Sequence, residues 1–207
     1  MIYYDCHTHS KRSDTKNIYS IDIRKETHVD HPFSIGIHPW FIEKENLNAQ
    51  FEILKKGIAN SNCVALGEIG LDRTIDLNIE TQKKVLEKQL ELINEFKVNT
   101  IIFHCVKAFS DIEVYLKKLP KSITLIFHDY NGNEQITNSL LKYNTFFSYG
   151  EKLFNESTSG FKSLSIIPKD RILLESDEKY LIEEVYQKSN ISHSQLEKNF
   201  LNAFKKF

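Results

Sequence analysis

Residues 2–10 read IYYDCHTHS, a short apolar and aromatic run that leads directly into the pattern Asp-x-His-x-His. Such a run predicts a β-strand, and alternation along a strand places His7 and His9 on the same face. Neutral imidazole is a common ligand of Zn²⁺ and related ions, so this strand end predicts half of a metal site. An isolated His-x-His pair is more often two surface residues of an edge strand, so the second half has to come from the rest of the chain.

Strand-like runs recur along the whole sequence. Eight runs read as strands, most of them separated by amphipathic helical patterns: residues 2–10, 18–23, 32–40, 63–72, 100–105, 123–129, 144–150 and 170–177. This alternation indicates a parallel sheet, and eight such units indicate an α/β fold of the (β/α)₈ TIM-type barrel class. No clear helix fills the first two connections, so we expect a distorted barrel whose first two crossover helices are shortened or missing. An open α/β sheet is the alternative.

Local patterns predict where some helices begin and break. Ser110 with Glu113, and Ser192 with Gln195, have the spacing of a capping box and predict two helix N-termini. Residues 151–164 are predicted to be helical, with an interruption at Gly160.

The composition is that of an ordinary globular protein without a broad basic surface. The 207 residues fit one domain, 1–207, and 41% of them are apolar while 27% are charged. The formal net charge is −1, which does not favour tracking along a long nucleic-acid backbone. A local phosphate site is still compatible with this charge, because a metal ion can supply positive charge itself.

The cysteines and the hydropathy of the sequence indicate the cellular compartment of the protein. The three cysteines have no regular spacing, which argues against a disulfide framework and for a reducing environment. The N-terminal residues lack a signal pattern, and no run of about 18 apolar residues is present. We therefore expect a cytoplasmic protein with no membrane association, and we expect Cys6 to be a small buried residue.

Metal-ligating residue types lie at the C-terminal ends of the predicted strands. They are Asp5, His7, His9, His38, Glu68, His104, His128 and Asp177. In a parallel barrel these strand ends meet at one rim, where active sites are built. One strand-end histidine is usually an ordinary hydrogen-bonded residue, but chance is a weak explanation for the whole set. Imidazoles and carboxylates gathered on one rim suit one or two divalent ions, and Glu68 could bridge two.

The motifs resemble, in order and from residue 2 to the C-terminus, those of the TatD family of metal-dependent hydrolases. They are Asp5-x-His7-x-His9, Gly36-Ile37-His38-Pro39, Gly67-Glu68-Ile69-Gly70-Leu71-Asp72, Gln82, Gln89, His104, His128 with a glycine shortly after it, Glu175-Ser176-Asp177 and Asn202-Ala203-Phe204-x-x-Phe207. The resemblance implies a barrel of the amidohydrolase-like superfamily. Many members of the family are deoxyribonucleases that act on phosphodiesters, and this chain would be a short, divergent member.

The resemblance also implies a set of metal ligands: His7, His9, Glu68, His104, His128 and Asp177. The first two histidines, Glu68 and Asp177 would hold one ion, and Glu68 with the last two histidines would hold the other. Glu68 and Asp177 would be catalytic, with Asp177 accepting the proton of the attacking water. The ions would be Mg, Mn or Zn.

The substrate side of the site departs from the family pattern. His38 would contact substrate without being a metal ligand. The family usually has an arginine two residues after the His104 position, where this chain has Val106 with Lys107 beside it, so Lys107 is the candidate phosphate contact. Valine cannot copy the bidentate grip of arginine on phosphate. In addition, Asp129 stands where the family has cysteine, and no proline follows Asp177.

We therefore expect a metal-dependent hydrolase that attacks phosphoester bonds with activated water. Its substrate would be a phosphoester, with any DNA cleavage confined to strand ends or short oligonucleotides. Two alternatives stay open: a small-molecule phosphomonoesterase or amidohydrolase-type enzyme, and a metal-binding scaffold without turnover. The sequence does not identify a protein partner.

Overall fold

A computed structural model describes residues 2–11, 13–26, 29–178 and 181–205 of the chain. Its central feature is a parallel sheet of eight strands in chain order. The strands are β1 Tyr4–Thr8, β2 Lys16–Asp22, β3 Phe33–Gly36, β4 Cys63–Asp72, β5 Thr100–Val106, β6 Thr124–Phe127, β7 Thr145–Tyr149 and β8 Ile172–Leu174. Just beyond β8, Asp177 N donates to His7 O at 3.1 Å and forms the bridge that brings the last strand back to the first. The predicted (β/α)₈ barrel is confirmed, nearly closed, and the open-sheet alternative is wrong.

Seven α-helices accompany the described strands. They are α1 Leu47–Ile58, α2 Ile79–Phe96, α3 Phe109–Leu116, α4 Glu134–Leu140, α5 Ser159–Ser163, α6 Ile182–Ser189 and α7 His193–Ala203. None of the described residues between β1 and β2, or between β2 and β3, is helical, so the predicted loss of the first two crossover helices is confirmed. Within the same part of the chain, no helix combines the length and apolarity needed to cross a bilayer.

The helix α2 fixes the ends of two strands through buried glutamines. Gln82 exchanges hydrogen bonds with the backbone of Asp72, at 2.8 Å to its N and 2.9 Å to its O. Gln89 does the same for Ile37, at 2.7 and 3.1 Å. A buried amide that satisfies two backbone groups at once is well accommodated, and replacement by an apolar residue would leave them unpaired. The family-like glutamines therefore position the residues that precede His38 and follow Glu68.

The strands β4 and β5 approach closely at Gly70. A Cβ atom at this position would lie 1.9 Å from His104 O, and φ of Gly70 is +152°. Only glycine fits both the space and the backbone conformation. This close contact sets the separation between the strand that carries Glu68 and the strand that carries His104.

The helix α7 covers the N-terminal end of the barrel. Thr100 Oγ1, at the start of β5, donates to Ala203 O at 2.7 Å. Phe200 and Phe204 are buried in one apolar cluster with residues of several strands, among them Ile102 and Ile126. This end lies opposite the strand ends that carry the histidines. Phe207, the last residue of the family-like closing motif, lies outside the described residues.

Three local predictions have different outcomes. Ser192 caps α7 by accepting Gln195 N, as predicted. Ser110 does not cap α3, because that helix begins at Phe109 after Ala108, without a side-chain cap. The predicted helix over residues 151–164 is a 3₁₀ turn followed by α5. The break falls near Asn155, whose Oδ1 accepts Ser157 N at 3.0 Å, a local bond that competes with helix formation.

Candidate metal centre

Glu68 lies at the centre of the converging strand ends. Its carboxylate is buried, and its two oxygens face different pairs of imidazoles. Oε1 lies 3.1 Å from His7 Nε2 and 3.2 Å from His9 Nε2. Oε2 lies 2.8 Å from His128 Nε2 and 3.8 Å from His104 Nδ1. Histidines from strands in different parts of the chain thus surround one carboxylate.

Asp177 completes the group on the side of His7 and His9. Its Oδ1 lies 3.8 Å from His7 Nε2 and 3.6 Å from His9 Nε2, and the side chain is 38% exposed. The residue adopts a left-handed backbone conformation, with φ of +51°. Thr8 Oγ1 donates to Asp177 O at 3.2 Å and helps to hold that conformation. Asp177 is therefore the solvent-accessible carboxylate of the rim cluster, which we define as His7, His9, Glu68, His104, His128 and Asp177.

The donor atoms of the rim cluster fit a divalent cation. His7 is fully buried, and neither of its ring nitrogens has a hydrogen-bond partner among the described residues. An unsatisfied buried polar atom costs about 1–3 kcal/mol, which a bound ion would remove. On the other side, His104 Nδ1 and His128 Nε2 face each other at 3.3 Å. Two imidazole nitrogens directed at one place are a typical arrangement of metal ligands.

Charge at the centre favours a cation as well. Burial alone would raise the pKa of Glu68, but the neighbouring His128 and His7 outweigh it and hold this pKa well below its usual range. For His9, burial lowers the pKa, yet the hydrogen bond and charge of Glu68 together with Asp177 raise it above the usual value. The centre is thus an ionised carboxylate that gathers positive charge around itself.

Two carboxylates behind the cluster orient its histidines. Asp72 Oδ2 lies 3.2 Å from His104 Nε2 and favours the tautomer with the ring proton on Nε2, in which Nδ1 faces the centre. Glu175 Oε1 lies 3.7 Å from His128 Nδ1 and favours the complementary tautomer, with Nε2 facing the centre. Both carboxylates lie within the family-like motifs of the sequence, but the motifs alone did not predict them as site residues. The feature of the sequence that could have identified them is their position at strand ends, close to the predicted ligands.

His38 lies beside the centre with a different ring tautomer. Its Nε2 is 3.6 Å from Glu68 Oε2, while its Nδ1 accepts Trp40 N at 3.1 Å. Burial, reinforced by the charges of neighbouring histidines, lowers the pKa of His38 to about 3, so its ring is neutral. A neutral ring that accepts at Nδ1 carries its proton on Nε2, and Nε2 is then a donor.

Asp5 belongs to the strand-end set but not to the rim cluster. It accepts Ser176 Oγ at 2.6 Å, Ser176 N at 3.1 Å and His7 N at 3.3 Å. Burial raises the pKa of Asp5 to about 7. The residue ties the loop after β8 to β1 and so positions His7 and Asp177. Cys6 is buried, as expected.

Two lysines lie close to the strand ends that carry His104 and His128. Lys107 is exposed directly after β5 and has φ of +53°. Val106 precedes it at the end of the strand and is half-buried. Lys152 Nζ donates to Asp129 Oδ2 at 2.8 Å, next to His128.

Comparison with known proteins gives concordant matches. The sequence profile of the family described as TatD related DNase matches residues 5–202. The chain is 28% identical over 162 residues to the human 3'-5' RNA nuclease TATDN2, a match that covers 75% of this chain and 21% of the human protein. It is 26% identical over 162 residues to the 3'-5' ssDNA/RNA exonuclease TatD of Pantoea ananatis, covering 76% and 62% of the two chains. The chain thus spans only part of each of these relatives.

Among solved structures, a TatD homologue from Escherichia coli K12 superposes with a TM-score of 0.76 at 18% sequence identity. The match covers 98% of each chain and shows the shared barrel fold.

Proposed function

This chain belongs to the TatD-related DNase family, and from that premise we propose that it is a divalent-metal-dependent hydrolase of phosphoester bonds. The observation that carries the proposal is the buried Glu68 carboxylate, each oxygen of which faces two imidazoles. The nuclease relatives support nucleic-acid strands as the substrate class. We propose that residues 1–207 act as a single domain.

The rim cluster would hold one or two divalent ions. We assign His7, His9, Glu68 and Asp177 to one ion, and Glu68, His104 and His128 to the other. A divalent ion bound by these groups would supply Lewis-acid chemistry, which activates water for attack and stabilises negative charge on a phosphoryl group. Mg, Mn and Zn are all compatible with this mixed nitrogen and oxygen set.

The roles of the protein side chains follow from exposure and tautomer. Asp177 is the exposed carboxylate of the cluster, so we assign it as the acceptor of the proton from the attacking water. The water oxygen bonds to phosphorus while the bond from phosphorus to the leaving sugar oxygen breaks, and that oxygen departs with the bonding electrons and takes up a proton from solvent. His38 carries its proton on Nε2, which favours donation to a substrate oxygen over ligation of a metal. Asp72 and Glu175 hold His104 and His128 in the ligating tautomers.

The substrate is proposed to be the end of a nucleic-acid strand or a short oligonucleotide. The net charge of −1 and Val106 at the expected arginine position both argue against a strong hold on long duplexes. Lys107 is the exposed cation that follows β5, and we assign it to a phosphate of the bound strand. We also propose a cytoplasmic location, in line with three cysteines that are all free.

A substrate panel tests the proposal. Wild-type protein and Glu68→Gln would be incubated with Mg²⁺, Mn²⁺ or Zn²⁺ at physiological salt. The substrates would be an end-labelled short single strand, long single-stranded and duplex DNA, and a nucleoside monophosphate. We expect the wild type to shorten the oligonucleotide and a chelator or Glu68→Gln to abolish that activity. Turnover of the monophosphate alone would establish a phosphomonoesterase, and turnover of none with any ion would contradict the proposed function.

A further inference from the structure

Trp40 is an exposed tryptophan beside the rim cluster. It is the only tryptophan in the chain, and 58% of its surface is accessible. It lies in the 3₁₀ turn Pro39–Phe41, two residues after His38. Tryptophan is highly buried on average, so a largely exposed indole beside a candidate active site calls for a functional explanation.

The exposed indole is held in a fixed orientation. Nε1 of Trp40 donates to Asp72 Oδ2 at 2.7 Å, and its backbone N donates to His38 Nδ1 at 3.1 Å. The ring meets His38 at a centroid distance of 5.2 Å and an angle of 88°. It meets His104 at 5.7 Å and 74°. One edge of the indole thus contacts Asp72 and the neighbouring histidines, while more than half of the residue is exposed to solvent.

The indole and a proposed metal ligand share one carboxylate. Asp72 Oδ2 contacts both Trp40 Nε1 and His104 Nε2, so a single side chain separates the indole from the rim cluster. In a nucleotide, one sugar ring separates the phosphate from the base. A phosphate at His104 and Glu68 therefore places the attached base within reach of the Trp40 ring.

We propose that Trp40 is a stacking platform for the base of the nucleotide whose phosphate occupies the rim cluster. This inference rests on the proposed function and adds a specificity-determining residue to it. Aromatic stacking binds every base and needs no positive charge. A pre-oriented ring also loses little side-chain freedom on binding. The platform would favour strands with unpaired terminal bases over duplexes.

A structural role for Trp40 predicts different behaviour. If the indole only held Asp72 in place, its removal would weaken the centre for every phosphoester, with or without a base. Trp40→Phe and Trp40→Leu both lose the Nε1 donor, but only phenylalanine keeps an aromatic face. The pair therefore separates stacking from support of Asp72.

The first test uses the indole as its own reporter. Wild-type protein with Mg²⁺ is titrated with deoxyadenosine 5′-monophosphate and with 2-deoxyribose 5-phosphate, which differ only in the base. Binding of each is measured calorimetrically, and tryptophan fluorescence is recorded in parallel. We expect quenching by the nucleotide and none by the sugar phosphate. Equal responses to both compounds, or no response to the nucleotide, would overturn the platform.

The second test measures cleavage of a short single strand and of the same strand with abasic residues. We expect Trp40→Leu to lower kcat/KM by about 5- to 150-fold on the base-bearing strand. The abasic strand should change by less than about twofold, and Trp40→Phe should retain most of the activity. Equal losses on both strands would assign Trp40 to support of Asp72. A wild type that cleaves neither strand contradicts the proposed function, while the fluorescence titration still decides the platform.

Discussion

Replacement of Asp72 by asparagine tests how the tautomer of His104 is set. Asp72 Oδ2 faces His104 Nε2 and accepts Trp40 Nε1, and its Oδ1 accepts Thr74 N at 2.7 Å. Either orientation of an asparagine amide points an N–H group at another donor. A hydrogen bond to a charged group contributes about 1.5–3 kcal/mol, which corresponds to about 10- to 150-fold in affinity. We therefore expect Asp72→Asn to weaken metal binding by one to two orders of magnitude.

The assay is calorimetric titration of purified wild type and variant with Mn²⁺, with circular dichroism to confirm folding. Asp111→Asn is the matched control. Asp111 accepts hydrogen bonds from Arg73 Nε and Lys83 Nζ, each at 2.9 Å. The control variant therefore also loses a carboxylate that contacts charged partners, but away from the histidines. We expect the control to bind Mn²⁺ as the wild type does. Unchanged affinity in Asp72→Asn, or an equal loss in Asp111→Asn, would refute the role assigned to Asp72.

Further predictions address the base, the fold and the ion. Asp177→Asn should lower kcat by about 10²–10⁴-fold with a smaller loss of Mn²⁺ affinity, and near-normal turnover would place the base elsewhere. Gly70→Ala should cost about 3 kcal/mol or more by denaturant unfolding, because its Cβ would meet His104 O, and an unchanged midpoint would refute that contact. Mn²⁺ at 100 times its Kd should add about 2.7 kcal/mol to wild-type stability and much less to His7→Gln, as measured by thermal unfolding. Hydrogen bonds from Arg24 lower the pKa of Asp22 to about 2, so this carboxylate stabilises the fold above pH 4 and loses that effect as pH falls toward 2. Asp22→Asn should then cost about 1 kcal/mol at pH 7 and progressively less below pH 4.

The barrel was predictable because its strands are buried on both faces. The strand β4 has the predicted bounds, Cys63–Asp72, and every one of its residues is buried, which gives the continuous apolar run seen in the sequence. The region after β7 was not predictable in the same way. There the side chain of Asn155 bonds locally to Ser157, and no apolar periodicity reveals that competition.

The candidate site was predictable to the extent that strand ends converge. His7 and His104 could be placed on one rim, since parallel strands end together. The carboxylates that orient these histidines could not be predicted, because the tautomer of each histidine depends on the group that its second nitrogen contacts in the folded protein. Asp72 contacts His104 from the adjacent strand. Trp40 contacts Asp72 from a turn that lies 32 positions earlier in the chain.

The most direct test of the metal centre is a crystal of the wild-type protein grown with Mn²⁺ and measured for anomalous scattering. We expect a peak between Glu68 Oε1, His7, His9 and Asp177, with a second peak between Glu68 Oε2, His104 and His128 when both ions bind. Glu68→Gln crystals grown in the same way should show weaker peaks or none. A wild-type map without a peak at the rim cluster, or with its strongest peak elsewhere on the protein, would contradict the assignment of these residues as the metal centre.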